Sequence, residues 1–187
     1  RKDHAVMQLT GNYLLDSSHM DQALNINRAF DLTKREFTNM KGAKCALYAV
    51  SGLIKDTVLT DTLNFFMRFD GESEQEIAAI ETANMNQIED IKNAVLKGGT
   101  AILRDHCSNA AIVYARSYPM RGIEEPENDK VLRGSRDGFG ESLILNTSLI
   151  RRRIRDSNLC IENIYQSIQP PSSPDHNAYK SLIHLSK

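Results

Sequence analysis

The chain has 187 residues, of which 41% are hydrophobic, so it is long enough for one domain with a packed core or for one domain with a tail. Its 23 basic and 24 acidic residues leave a formal net charge of −1. That balance excludes a protein that binds nucleic acid through its overall charge, and any basic function must be local. No apolar run is long enough to cross a membrane, and no signal peptide is present, so we expect this stretch to be soluble.

The first half of the chain predicts a hairpin followed by a helix. Residues 1–27 are polar and weakly patterned, which predicts a linker or a marginal helix with Met20 and Leu24 as anchors. Residues 30–37 and 43–50 predict two strands joined by a turn at 39–42. A helix is expected at 57–69, because its apolar residues recur at the helical spacing.

The second half repeats this pattern with different residues. We expect a short strand at 77–80, a helix at 85–97, a second hairpin from 100–103 and 110–115, and a third helix from about 138 to 155. The tally predicts an α/β fold in which a mixed or antiparallel sheet of hairpins packs against about three helices. Residues 163–187 contain three prolines and little periodicity, so they predict a disordered tail.

The third helix carries two separate apolar stripes. Successive residues lie 100° apart, which places Phe139, Leu143, Ile150 and Ile154 on the face that we expect to meet the core. Leu145 and Leu149 fall on a second stripe. A helix with two apolar stripes is usually covered on two sides, so we expect this second stripe to contact another domain, subunit or segment.

Four arginines, Arg151, Arg152, Arg153 and Arg155, end this helix. The helix dipole explains one or two cations, each worth about 0.3–1 kcal/mol, but not four. Acidic groups of another protein, anionic lipid headgroups, phosphate groups and the chain's own acidic residues at 124–129 are the alternatives. Phosphate fits least well, because phosphate sites normally use a helix N-terminus.

No motif of the chain predicts an enzyme. The acidic residues at 124–129 have no histidine near them, and the glycine-rich run at 134–138 lacks the spacing of a nucleotide-binding loop. His106 beside Cys107 has no further ligands in the sequence, and Cys45, Cys107 and Cys160 are isolated. We therefore expect no catalytic residue, no cofactor and no metal, and we expect reduced thiols that pack as small hydrophobic groups.

The most distinctive part of the sequence is a series of short motifs. They are Arg116-Ser117-Tyr118-Pro119, Arg121, Glu125-Pro126, Lys130-Val131, Arg133-Gly134-Ser135-Arg136-Asp137-Gly138-Phe139, Glu141, Asn146-Thr147, Leu149 and the run from Ile150 through Arg151, Arg152, Arg153 and Arg155 to Asp156. These motifs resemble the GerA family of spore germination proteins, which includes the A subunits of nutrient germinant receptors and stage V sporulation protein AF. Phe30-Asp31-Leu32, Ala46-Leu47-Tyr48, Gly52 and Lys55-Asp56 support the resemblance, which covers about residues 28–162.

The resemblance implies a non-enzymatic role in germination. Residues 28–162 would be the first soluble subdomain of a receptor subunit, on the cytoplasmic (spore-core) side of the inner spore membrane. Family members continue into a second subdomain and then into transmembrane helices, and they are thought to form membrane oligomers that conduct ions. The expected partners are other receptor subunits, the second subdomain, a second copy in the full-length form and anionic lipid, but not nucleic acid. The expected interaction residues are then Arg116, Arg121, Glu125, Pro126, Arg133, Gly134, Arg136, Asp137, Gly138, Phe139, Glu141, Leu145, Asn146, Leu149, Arg151, Arg152, Arg153 and Arg155.

The end of the chain departs from the family pattern. After Ile161-Glu162 we expect an unrelated tail at 163–187, which would be explained by a frameshift or a truncated reading frame. Two alternatives to the receptor role stay open at this point. One is a module that senses a small nutrient, and the other is a truncated product without function.

Overall fold

The computed structural model describes residues 7–68, 82–114, 143–156, 158–165 and 179–185. Its elements in chain order are α1 (Tyr13–Leu24), β1 (Leu32–Thr38), β2 (Lys44–Val50), α2 (Asp56–Arg68), β3 (Thr82–Met85), α3 (Ile88–Leu96), β4 (Thr100–Arg104), β5 (Ala110–Val113), α4 (Leu143–Arg153), β6 (Leu159–Tyr165) and β7 (Tyr179–Leu185). No helix in this part of the chain is long and apolar enough to span a membrane.

Five strands form an antiparallel sheet in the order β1-β2-β4-β5-β3, with β1 and β3 at its edges. Helices α1 and α3 cover one face, where Met20 and Ile91 pack against Tyr48 of β2. Helix α2 covers the other face, where Phe66 packs with Leu47. Strand β2 is therefore buried on both sides, which explains why its sequence is a nearly continuous apolar run. The predicted α/β class with an antiparallel sheet of hairpins is confirmed.

Both predicted hairpins and the first predicted helix are present. Strands β1 and β2 pair around the turn at 39–42, and β4 pairs with β5. The predicted strand at 77–80 lies outside the described residues. Residues 82–85 instead form β3, which pairs with β5. Met85 therefore belongs to a strand, and the following helix begins at Ile88 rather than at Met85.

Residues 13–24 are a helix that packs on the sheet, so for this part of 1–27 the predicted alternative of a helix is correct and the linker is wrong. The side chain of Asn12 accepts hydrogen bonds from the first-turn amides of Leu14 and Leu15. The buried carboxylate of Asp16 accepts hydrogen bonds from the preceding loop at 10–11. Met20 and Leu24 are buried, as predicted for the anchors of a helix.

The tail contains a second small sheet. Strand β7 (Tyr179–Leu185) pairs antiparallel with β6 (Leu159–Tyr165), so disorder is the wrong expectation for 163–165 and 179–185. Residues 179–185 include tyrosine and isoleucine, which favour strands, and the three prolines fall between the two strands, outside the described residues.

Thiol accessibility gives a direct check of this fold. Cys45 and Cys160 are buried, whereas Cys107 is only partly buried, and all three are free. Burial raises the pKa of the Cys45 thiol to about 11, and burial also raises the pKa of Cys160. We expect iodoacetamide at pH 8 to modify Cys107 first in the native protein, because alkylation requires an accessible thiolate. Peptide mass spectrometry measures this order. All three should react in denaturant, and equal rates in the native protein would contradict the packing.

Candidate interdomain joint at Arg151

Arg151 lies in the last turn of α4, yet its residue exposure is only 1%. Its Nε donates a hydrogen bond to Oδ2 of Asp31 at 2.7 Å, and its Nη2 donates to Oδ1 of the same carboxylate at 3.1 Å. Asp31 directly precedes β1 and is buried as well. A buried arginine needs such a two-pronged pairing, because the desolvation of an isolated charge would cost several kcal/mol.

The remaining nitrogen of the guanidinium, Nη1, contacts residues that follow α4 in the sequence. Nη1 of Arg151 donates to the carbonyl oxygens of Leu159 at 2.9 Å and of Asp156 at 3.4 Å. One side chain thus connects the end of α4, the residue before β1 and the first residue of β6. Because every hydrogen bond is directed, the guanidinium fixes the mutual orientation of these three segments.

Two further contacts fasten β6 to the same place. The amide of Phe30 donates to the carbonyl oxygen of Ile161 at 2.7 Å, and Arg28 forms an ion pair with Glu162 at 2.5 Å. We call Asp31 and Arg151, together with these contacts between residues 28–30 and 159–162, the joint. It attaches the two-stranded β6–β7 sheet to the five-stranded sheet.

Helix α4 approaches the turn after β2 closely. Gly52 in this turn has a φ of +80°, and a Cβ there would lie 3.0 Å from both Cγ2 of Ile144 and Cβ of Ser148. The buried side chains of the helix are therefore the small Thr147 and Ser148, with Arg151 one turn on. Their hydroxyls donate to carbonyl oxygens three residues earlier in the helix, which satisfies them without any outside partner.

The predicted core face of this helix is wrong. Ile154 is 43% exposed, Leu143 and Ile150 are only half-buried, and Phe139 lies outside the described residues. On the face of α4 that meets the Gly52 turn, the buried side chains are the small Thr147 and Ser148, which allow the helix to approach the turn closely.

The other predicted interaction residues of α4 lie at or near the surface. Leu145 is 48% exposed, and Leu149 and Asn146 are half-buried. Arg152, Arg153 and Arg155 are exposed, and Nε of Arg155 donates to the carbonyl oxygen of Arg152 at 3.3 Å. The structure therefore separates Arg151, which is internal, from the three arginines that follow it. Covering of this surface by another domain stays a prediction.

The remaining predicted interaction residues lie outside the described residues. They are Arg116, Arg121, Glu125, Pro126, Arg133, Gly134, Arg136, Asp137, Gly138, Phe139 and Glu141. Sequence reasoning assigned no role to Asp31, Gly52 or Leu159. The spacing of Ile144, Thr147, Ser148 and Arg151 places these four on one face of a helix, but it does not indicate that Asp31 and Gly52 lie opposite them. Among the described residues, no group of acidic, histidine or cysteine side chains is arranged to hold a metal ion.

Comparison with known proteins identifies the family to which the chain belongs. A family model described as Bacillus/Clostridium GerA spore germination protein matches residues 19–168. The chain belongs to this family. The match continues past Glu162, where we expected the family pattern to end, and includes all of β6.

Two curated relatives agree with the family match. Stage V sporulation protein AF of Bacillus subtilis (strain 168) is 29% identical over 157 residues, which cover 79% of this chain and 32% of that protein. Spore germination protein GerLA of Bacillus cereus is 32% identical over 141 residues, which cover 69% of this chain and 28% of that protein. The chain thus spans about a third of the length of these GerA relatives.

A solved structure shares the fold. The crystal structure of the N-terminal domain of the A subunit of the Bacillus megaterium spore germinant receptor GerK3 superposes with a TM-score of 0.63 at 13% identity. The match covers 87% of this chain and 62% of that one. At this identity the likeness concerns the fold alone, and it agrees with the helices packed on an antiparallel sheet described above.

Proposed function

We propose that this chain is a non-enzymatic part of an A-type subunit of a spore germination receptor, and that it acts through contacts with neighbouring domains and subunits. Residues 28–162 would form its first subdomain. The observation that carries this proposal is the joint at Arg151. There a buried ion pair and its hydrogen bonds hold the β6–β7 sheet against the five-stranded sheet. Such an arrangement suits a domain that passes a movement of one sheet on to the other, rather than a domain that catalyses a reaction.

The proposed partners follow from the surface around the joint and from the family. They are the other subunits of the receptor complex and the subdomain that continues the chain in longer family members. A full-length form would be a homo-oligomeric subunit of an ion channel in the inner spore membrane, with this region on its cytoplasmic side. The exposed Arg152, Arg153 and Arg155 would contact carboxylates of a partner or anionic lipid headgroups.

Charge reversal at the exposed arginines tests this proposal in spores of the organism that encodes the chain. We expect Arg152→Glu with Arg153→Glu to abolish the receptor complex and nutrient-triggered germination, because like charges would then face the partner. Native gels measure the complex, and the fall in optical density of a spore suspension measures germination. The control is Arg68→Glu with Lys97→Glu, which changes the charge equally at exposed sites on α2 and next to α3. An unchanged complex in the first variant would contradict the proposal.

A further inference from the structure

Among the residues that the structure describes, none pairs with one side of the β1 backbone. The amide of Ser51 donates to Asp31, and the amide of Asn39 donates to Ala43, so the odd-numbered residues of β1 pair with β2. In an antiparallel ladder the alternate residues point the other way. Leu32, Lys34, Glu36 and Thr38 thus direct their amide and carbonyl groups outward, and these groups have no backbone partner among the residues that the structure describes.

One main-chain hydrogen bond links β6 to the turn just before this edge begins. Phe30 lies in the turn before β1, and its amide donates to the carbonyl oxygen of Ile161 in β6. Strand β6 therefore comes within hydrogen-bonding distance of the chain beside this edge without pairing with β1. Beyond Phe30, the described part of the chain leaves the edge open.

A groove flanks this edge on each face of the sheet. The α2-side groove has a volume of about 550 Å³ and is lined by Thr33 and Arg35 of β1, with Ile54 and Ile144 as apolar walls. The α1-side groove has a volume of about 510 Å³ and includes Lys34 and Glu36 of β1. Successive side chains of a strand point to opposite faces, so a strand added beside β1 would direct its side chains alternately into the two grooves.

We propose that the open edge of β1 is a docking site for an extended acidic segment of a partner polypeptide, which adds to the sheet beside β1. Main-chain hydrogen bonds to the even-numbered residues supply the affinity. The two grooves supply the specificity.

The charges of the two grooves define the segment. Lys34 is already satisfied, since its Nζ donates to Ser17 at 2.8 Å and to Asp21 at 2.8 Å. Arg35 is exposed and has no ion pair within the described residues, and Lys55 and Asp56 line the same α2-side groove, so two basic side chains face one acidic side chain there. A carboxylate on the α2 side of the added strand would pair with Arg35, and an apolar side chain two residues away would contact Ile144.

A second copy of the chain fits this edge less well. Antiparallel pairing of β1 with another β1 matches Lys34 with Glu36 only when the two Arg35 side chains lie directly opposite each other. Like charges in opposed positions destabilise a strand pair. Charge complementarity therefore favours an acidic segment over self-association.

Synthetic peptides test the proposal on the full chain. The probes are two fluorescent nine-residue peptides of alternating threonine and valine with either a glutamate or a lysine at the centre. We expect only the glutamate peptide to bind wild-type protein, as measured by anisotropy. Hydrogen exchange by NMR should show the amides of Lys34 and Glu36 slowed by roughly tenfold or more at saturation, because only outward amides gain a partner. The amide of Arg35, which pairs with β2, is the internal control.

Matched variants separate strand addition from unspecific attraction. Arg35→Glu should weaken binding of the glutamate peptide roughly threefold or more and strengthen binding of the lysine peptide, whereas Arg152→Glu should change neither. Methylating the central backbone nitrogens of the glutamate peptide should abolish binding. The proposal is overturned if the methylated peptide binds equally well, if the Lys34 and Glu36 amides keep their exchange rates, or if sedimentation shows a dimer through β1 that the peptides do not displace. No germination assay is involved, so failure here would leave the proposed function standing.

Discussion

Replacing Arg151 by methionine is expected to lower the free energy of unfolding by about 3–5 kcal/mol, because removal of one partner leaves a buried charge uncompensated. The Asp31 carboxylate would lose both guanidinium hydrogen bonds, and the carbonyl oxygen of Leu159 would lose its donor. Arg151→Lys keeps the charge but cannot make the two-pronged contact, so it should also be destabilising. Urea unfolding followed by circular dichroism measures the change.

A double-mutant cycle identifies the pair as the cause. Asp31→Asn removes the carboxylate charge, so Asp31→Asn with Arg151→Met should cost less than the sum of the two single changes. The matched control is Arg152→Met, which removes an exposed arginine from the next position of the same helix and should change stability by no more than about 0.5 kcal/mol. Equal effects at positions 151 and 152, or simple additivity in the cycle, would show that the joint contributes little.

Gly52→Ala is expected to destabilise the protein by about 2–4 kcal/mol, through two separate costs. The first is the left-handed backbone, since the φ of Gly52 is +80°. The second is crowding, since the new Cβ would lie 3.1 Å from the carbonyl oxygen of Ile144 and 3.0 Å from Cβ of Ser148. The backbone oxygen cannot rotate away, so α4 must move outward.

Gly42→Ala separates these two costs. Gly42 has a φ of +82°, close to that of Gly52, but nothing lies within 4 Å of the Cβ that it would gain. This variant should lose only the backbone contribution, which lowers the free energy of unfolding by about 1–2 kcal/mol. The difference between the two variants in urea unfolding then measures how tightly α4 packs on the turn. If the two changes cost the same, α4 does not pack there as described.

The elements that were predicted correctly carry a strong local pattern. Helix α2 shows its apolar stripe through Leu59 and Phe66, and β2 is recognisable because burial on both faces makes it continuously apolar. Helix α1 was predicted only as an alternative to a linker, for the opposite reason. It buries Asp16 and Ser17 while Leu14 is 70% exposed, so its sequence has no clear apolar face.

The joint could not have been predicted from local pattern. Arg151 and Asp31 are 120 residues apart, and nothing near either residue indicates its partner. Arg151 also lies next to three arginines that are exposed. The sequence therefore suggests one basic surface of four arginines, whereas in the structure Arg151 is buried and only the other three are on the surface. A buried ion pair depends on which distant residues meet in the folded chain. The periodicity of a sequence indicates only which face of each helix or strand is buried.

The position of α1 has a consequence for exchanging this region between members of the GerA family. Similarity to the family model begins at His19, in the middle of α1. A chimera spliced at that residue would discard Tyr13, whose hydroxyl donates to Glu36 at 2.6 Å and whose amide donates to Asp105 at 3.2 Å. It would also discard the Asp16 carboxylate that closes the loop before the helix. The transplantable unit therefore starts upstream of the recognisable one, and a swap must carry residues 7–18 with it.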